Sequence, residues 1–157
     1  VMCMTRENYK FLDLGFDAAV QFPPHMPWLA HDFSIPKLHR STVNDLNKNF
    51  KGSIYAYDDV ASSCIMAQKN LVFPGIFPSW DNTPRRLEHS TIFAGSTPHK
   101  YEQWLAKSCE FAAKQNNKFV FINAWNEWGE GAHLEPDSAW GYAWLNATGR
   151  VLSQYSQ

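Results

Sequence analysis

Phe119-Val120-Phe121-Ile122-Asn123-Ala124-Trp125-Asn126-Glu127-Trp128-Gly129-Glu130-Gly131 begins as an unbroken apolar run and ends in two glutamates set among tryptophans and glycines. The first four residues have the length of a strand. Their lack of polar alternation suits a strand buried on both faces, as in parallel sheets. Polar, chemically able side chains follow at once. In parallel α/β architectures the carboxyl ends of the strands carry the functional residues. This stretch therefore predicts both a parallel sheet and the edge that holds the chemistry.

Working outward, Thr97 is placed to cap a helix over 98–115, with Pro98 at its first position and Tyr101, Trp104, Leu105, Cys109 and Ala112 on one face. Asn116-Asn117-Lys118 breaks it before the apolar strand. Further strands are predicted at 18–22, stopped by Pro23-Pro24, at 53–57, and at 71–77, interrupted by Pro74-Gly75. Helical patterning is predicted over 6–14, 42–49 and 60–69. A last helix is predicted over 140–153, with Tyr142, Leu145, Ala147 and Val151 turned inward. The stretch 25–41 is long, irregular and holds three histidines, a kind of loop that tends to be functional or disordered.

Four alternations of strand and helix argue for parallel strands with crossover helices. A complete barrel takes about 250 residues, so the 157 residues correspond to an α/β fold that is a partial (β/α)8 TIM barrel, roughly its last four βα units. On that reading the whole of 1–157 is the C-terminal half of a barrel domain. A small doubly wound sheet fits the same count, although no glycine-rich phosphate fingerprint follows any strand. Half a barrel leaves strand edges unpaired, which predicts self-association or a missing N-terminal half.

Polar residues gather after each predicted strand: His25 after the first, Tyr57, Asp58 and Asp59 after the second, Trp80, Asp81 and Asn82 after the third. After the fourth come Asn123, Trp125, Asn126, Glu127, Trp128 and Glu130, with His133 and Glu135 close behind. Each has an ordinary reading as well. Asp81 and Asn82 suit a turn, Tyr57 and Trp80 suit a core, and His25 suits a turn as readily as a ligand. Glu127 and Glu130 on one extended strand would lie roughly 10 Å apart. Gly129 and Gly131 instead favour a wind, in which i,i+3 partners sit roughly 5–6 Å apart.

Two carboxylates that close, walled by indoles, are expected to separate into an acid and a base through repulsion and desolvation. That is the equipment for glycosidic chemistry, at a spacing nearer the retaining than the inverting arrangement. The alternative is that they cap the final helix or pair with Arg85 or Arg86.

Fifteen acidic against fourteen basic residues give a formal net charge of −1, which removes the basic excess of a nucleic-acid binder. Seven Trp, six Tyr and eleven Phe serve either a bulky core or the stacking faces of a carbohydrate site; composition does not separate the two. Cys3, Cys64 and Cys109 form no CxxC pair, so neither a disulfide framework nor structural zinc is expected, and a reducing, cytoplasmic setting is favoured. The six histidines lack metal-ligand spacing, so no metal and no cofactor is expected. No run approaches the roughly 18 apolar residues of a membrane span.

The stretch 121–137, Phe-Ile-Asn-Ala-Trp-Asn-Glu-Trp-Gly-Glu-Gly-Ala-His-Leu-Glu-Pro-Asp, resembles the signature of the WbsX-like glycosyltransferase family. So do Gly15-Phe16-Asp17-Ala18-Ala19-Val20-Gln21-Phe22-Pro23-Pro24-His25 and Phe77-Pro78-Ser79-Trp80-Asp81-Asn82-Thr83-Pro84-Arg85-Arg86, in the family's order. That family is itself similar to the family-99 glycoside hydrolases, which include endo-α-mannosidases.

The resemblance implies a (β/α)8 barrel acting on glycosidic bonds in bacterial polysaccharide metabolism, O-antigen synthesis included, with a glycan or glycosyl donor as substrate. In the related hydrolases the first glutamate of Asn-Glu-Trp-x-Glu-Gly acts as base and the second as acid. Their retaining route passes through a 1,2-anhydro sugar, with the substrate's own 2-hydroxyl as nucleophile. By position Glu127 is the implied base and Glu130 the implied acid. The expected substrate contacts are His25, Tyr57, Trp80, Asp81, Asn82, Trp125, Asn126, Trp128, His133 and Glu135. Gly129 stands where the mannosidases carry a histidine, so their substrate does not carry over. The competing class is a carbohydrate-binding module, which has no need of two carboxylates in one turn.

Overall fold

The computed structural model describes residues 2–4, 11–25, 50–68, 70–115 and 119–155, the first three by backbone alone. Strand β1 (Met2–Met4) pairs in parallel with β2 (Ala19–Gln21). Strand β3 (Ser53–Ala56) runs straight into helix α1 (Tyr57–Met66). The strand predicted at 71–77 is divided at Pro74 into β4 (Val72–Phe73) and β5 (Gly75–Ile76), because proline brings no N–H to the ladder.

A short helix α2 (Thr83–Arg86), strand β6 (Thr91–Ala94) and the long helix α3 (Pro98–Lys114) follow. Strand β7 (Phe121–Ile122), the hairpin of β8 (Asn126–Glu127) and β9 (Ala132–His133), and helix α4 (Ala143–Leu152) complete the chain.

Parallel pairing links β2 to β4 and β5 to β7, so the neighbours run β1, β2, β4/β5, β7 in chain order. Strands β3 and β6 form a separate parallel pair, in register from Ser53 opposite Thr91 to Ala56 opposite Ala94. The fold is thus mixed α/β with short parallel strands. They do not close into a barrel among the described residues.

An aromatic cluster joins the helices to the sheet. Phe77 packs edge-on against Tyr57 and Trp104, with ring centroids 5.5 and 5.2 Å apart, and Tyr101 against Trp144 at 5.7 Å. Each such pair adds about 0.5–1.5 kcal/mol beyond area burial. The buried amide of Gln21 fits this interior because it is satisfied: it donates to the Cys64 carbonyl at 3.1 Å and accepts from the Gly75 amide at 3.3 Å.

Helix α3 matches its prediction to within a residue, and the Thr97 hydroxyl accepts from the Lys100 amide at 3.3 Å. Elsewhere the structure corrects the sequence. Tyr57 does not end a strand but opens α1, with its ring fully buried. Asp58 and Asp59 accordingly sit in the first turn of a helix, where they complement its dipole. Strand β6 was not foreseen, and only its pairing with β3 makes it a strand.

The run 119–122 contributes just two strand residues and is not buried on both faces, Phe119 being 59% and Phe121 43% exposed. The reason is positional: β7 lies at the edge of the described sheet. Helix α4 starts late because Asp137 and Gly141 close a turn first, which leaves Tyr142 exposed and not inward. Of the helix predicted over 6–14, residues 11–14 form a turn ending at Gly15, and the rest lies outside the described residues. The predicted helix over 42–49, and the loop 25–41 beyond His25, also lie outside them.

Candidate functional site

Three of the four predicted polar clusters meet at one edge of the sheet. The Asn123 side chain donates to the Pro23 carbonyl at 3.1 Å, tying the end of β7 to the end of β2. His25 stands edge-on to Trp80, with ring centroids 5.5 Å apart. The Ser79 hydroxyl donates to the Gly131 carbonyl, and the Asp81 amide donates to the Glu130 carbonyl at 2.8 Å. The cluster that does not join them is Asp58 and Asp59. Asp58 is paired with Lys100 at 2.6 Å on the face of α1.

The wind expected from the two glycines is a 3-10 turn over Trp128–Glu130, entered from β8 at Glu127. Gly131 closes it at φ +60°, a left-handed conformation that glycine adopts without cost. A side chain at that position would also press on the Asp81 backbone, whose nitrogen lies 3.0 Å from where a Cβ would stand.

Both carboxylates reach one cation. Arg85 Nη1 donates to Glu127 Oε1 at 3.1 Å and to Glu130 Oε1 at 3.0 Å. Two oxygens on a common nitrogen at those distances lie at most about 6 Å apart, a bound below the roughly 6.5–9.5 Å of inverting pairs that admits the roughly 5–5.5 Å of retaining ones. The ion pair with Arg85, named above as the alternative for these glutamates, is thus formed. Glu130 is the more enclosed, its side chain 21% exposed against 46% for Glu127.

An aromatic wall stands beside the pair. Trp128 and Trp125 are each about half exposed. The Trp128 ring stacks on His133 with centroids 3.8 Å apart, and its indole N–H donates to Glu135 at 2.7 Å. His133 Nε2 meets Asp137 Oδ2 at 3.0 Å. Burial pushes the Asp137 carboxyl up, but the amides of Trp140 and Ala139 and the His133 ring outweigh it and hold it below the usual range. Asn126 lies opposite His133 across the hairpin and is exposed.

Other predicted contacts fall in the interior. Tyr57 is wholly buried and its hydroxyl donates to the Phe77 carbonyl at 2.7 Å, so it is a core residue and does not face a site. Trp80 is 2% exposed and lies beneath His25. Asn82 is spent on structure: its side-chain oxygen accepts the Thr91 amide at 2.7 Å, and its carbonyl accepts the amides of Arg85 and Arg86. Asp81 is exposed, with its carboxylate accepting from the Thr83 amide at 2.9 Å.

Asp137 was missed as a site residue, and Arg85 entered the sequence reading only as the partner in the alternative given for the two glutamates, a contact across 42 positions that the structure contains.

A cavity of about 350 Å³ opens on the sheet, lined by Val20, Phe22, Ile76, Phe121 and Ile122. Among the described residues no group of three His, Cys, Asp or Glu is placed to hold a metal ion. No described helix is long and apolar enough to cross a membrane.

The family model described as Glycosyltransferase WbsX matches residues 1–148. The chain is 40% identical over 149 residues to the uncharacterized protein WxcX of Xanthomonas campestris pv. campestris, in each of two strains, a match covering 90% of this chain. It spans 20% of the length of those relatives. No solved structure matches significantly. With the motif, its hairpin and the family match in agreement, the chain belongs to the WbsX glycosyltransferase family.

Proposed function

We propose that this chain carries the acid–base pair of an enzyme that cleaves or transfers glycosyl groups, on a carbohydrate substrate of bacterial polysaccharide metabolism. The observation that supports this most is the meeting of Glu127 and Glu130 on one nitrogen of Arg85, beside the half-exposed rings of Trp125 and Trp128. Two carboxylates at that separation suit retention of configuration. Trp rings beside them offer the apolar faces on which a sugar stacks. A binding module would use the rings and leave the paired acids idle.

In the proposed reaction Glu127 takes the proton of the substrate's 2-hydroxyl as that oxygen attacks the anomeric carbon. Glu130 gives its proton to the departing glycosidic oxygen. A hydroxyl then opens the 1,2-anhydro ring with the roles reversed, Glu130 as base and Glu127 as acid. Water as that hydroxyl gives hydrolysis and a sugar acceptor gives transfer, so exclusion of water decides between them. His25, Asp81, Asn126, His133 and Glu135 are the residues we place around the sugar.

We further read β1, β2, β4/β5 and β7 as consecutive strands of a (β/α)8 barrel. Their parallel order and the open apolar cavity support this. Further βα units, or a second copy, would cover that face. Converting Glu127 or Glu130 to Gln in the intact protein is expected to lower turnover at least about a hundredfold while sparing saccharide binding. Turnover unchanged in both variants would contradict the proposal.

A further inference from the structure

We infer that Arg85 is the residue through which this site recognises an anionic group on its substrate, a carboxylate or phosphate carried by a sugar; the inference rests on the carbohydrate reading above. Arg85 spends Nη1 on the two glutamates, and its Nε and Nη2 donors have no partner among the described residues. Those two nitrogens form one edge of the guanidinium, a fork that matches paired oxyanions. The same edge already does this elsewhere in the molecule. Arg150 donates through Nε and Nη2 to the two oxygens of Glu102, at 2.8 and 2.6 Å.

The open fork is also held in place. The Asn82 carbonyl accepts the Arg85 amide at 3.0 Å, while Nη1 is anchored at its far end. Along the side chain, Cδ lies 2.8 Å from where a Cβ on residue 129 would stand. A side chain at 129 would push this stem aside, so Gly129 helps to set where Arg85 lies. The side chain is 53% exposed, which leaves the fork accessible.

Arg86 adds a second positive charge beside Arg85 in the same short helix. An anion carried by the sugar would then be fixed by two charge-assisted hydrogen bonds beside the acid–base pair.

The test uses the intact protein and three probes, glucuronate, glucose 1-phosphate and glucose, followed through the indole N–H signals of Trp125 and Trp128. At least one anionic probe is expected to bind about tenfold more tightly than glucose, and which one it is separates a carboxylate from a phosphate source. Arg85→Lys keeps the charge and loses the fork, so it should abolish the preference while glucose binding persists. Gly129→Ala should act in the same direction by displacing the stem. An unchanged amide spectrum shows that each variant remains folded.

Equal affinity for all three probes, or a preference that survives Arg85→Lys, overturns the inference and leaves the carbohydrate reading intact. If none of the probes, nor an oligosaccharide mixture, moves either indole signal, the carbohydrate reading itself fails and the inference falls with it.

Discussion

The indole of Trp128 lies on the imidazole of His133, ring centroids 3.8 Å apart and planes 18° from parallel. The outer face of the indole is thereby left to a ligand, while Glu135 fixes the ring's rotation through its N–H. Replacing His133 with Ala removes the floor of the stack and leaves the hydrogen bond. We expect a loss of about 1–2 kcal/mol in stability, a shift of tryptophan emission to longer wavelength, and weaker saccharide binding. Denaturant titration and fluorescence measure all three, and emission identical to the parent's would contradict the role given to the stack.

Asp137 gives the fold a pH dependence whose sign is fixed. Its carboxyl is raised by burial but held, on balance, below the ordinary 3.8 by the Trp140 and Ala139 amides and by His133. A depressed folded value means that the stabilisation is complete above the unfolded value and is lost as pH falls through the folded one. Asp137→Asn should therefore lose stability at pH 7. Its deficit against the parent should shrink as pH falls below 3.8. A deficit constant from neutral to strongly acid pH would count against this network.

Cys64 is wholly buried, and burial pushes its thiol up to about 12. The thiolate is the reactive form, so Cys64 should resist iodoacetamide at pH 8 until the protein unfolds. Peptide mapping of the labelled protein reads this residue separately from the other cysteines. Rapid labelling of Cys64 in the native protein would place it outside the core.

Gly131→Ala should cost about 1–3 kcal/mol, because a side chain is strained at its positive φ and crowds the Asp81 backbone. The same change should lower turnover more than saccharide binding, since it moves the Glu130 end of the pair. Thermal unfolding and kinetics on one preparation would show whether both effects occur.

What the sequence revealed was what local chemistry encodes. Thr97, Pro98 and a one-sided apolar face mark α3 because cap, first turn and periodicity all lie within one helix. Gly129 and Gly131 mark the wind that brings Glu127 and Glu130 to one side. Tyr57 was ambiguous because strand end and helix start share its position, and only packing against Phe77 and Trp104 decides. Strand β6 and the Arg85 bridge depend on partners 38 to 45 positions away, which no short window contains. Phe121 misled because an apolar run reports the burial a strand is suited to, and an edge position leaves it uncovered.

The most direct test concerns the proton that Glu130 is proposed to deliver. Kinetics of Glu130→Gln in the intact protein would be compared on two versions of a glycoside that the parent turns over, one with a poor and one with an activated leaving group. The account predicts a loss of about 10²–10⁴-fold in kcat/KM on the poor leaving group and near-parental kcat/KM on the activated one, where kcat stays low because ring opening still lacks its base, with Glu127→Gln impaired on both. Parental turnover by Glu130→Gln on the poor leaving group would contradict it.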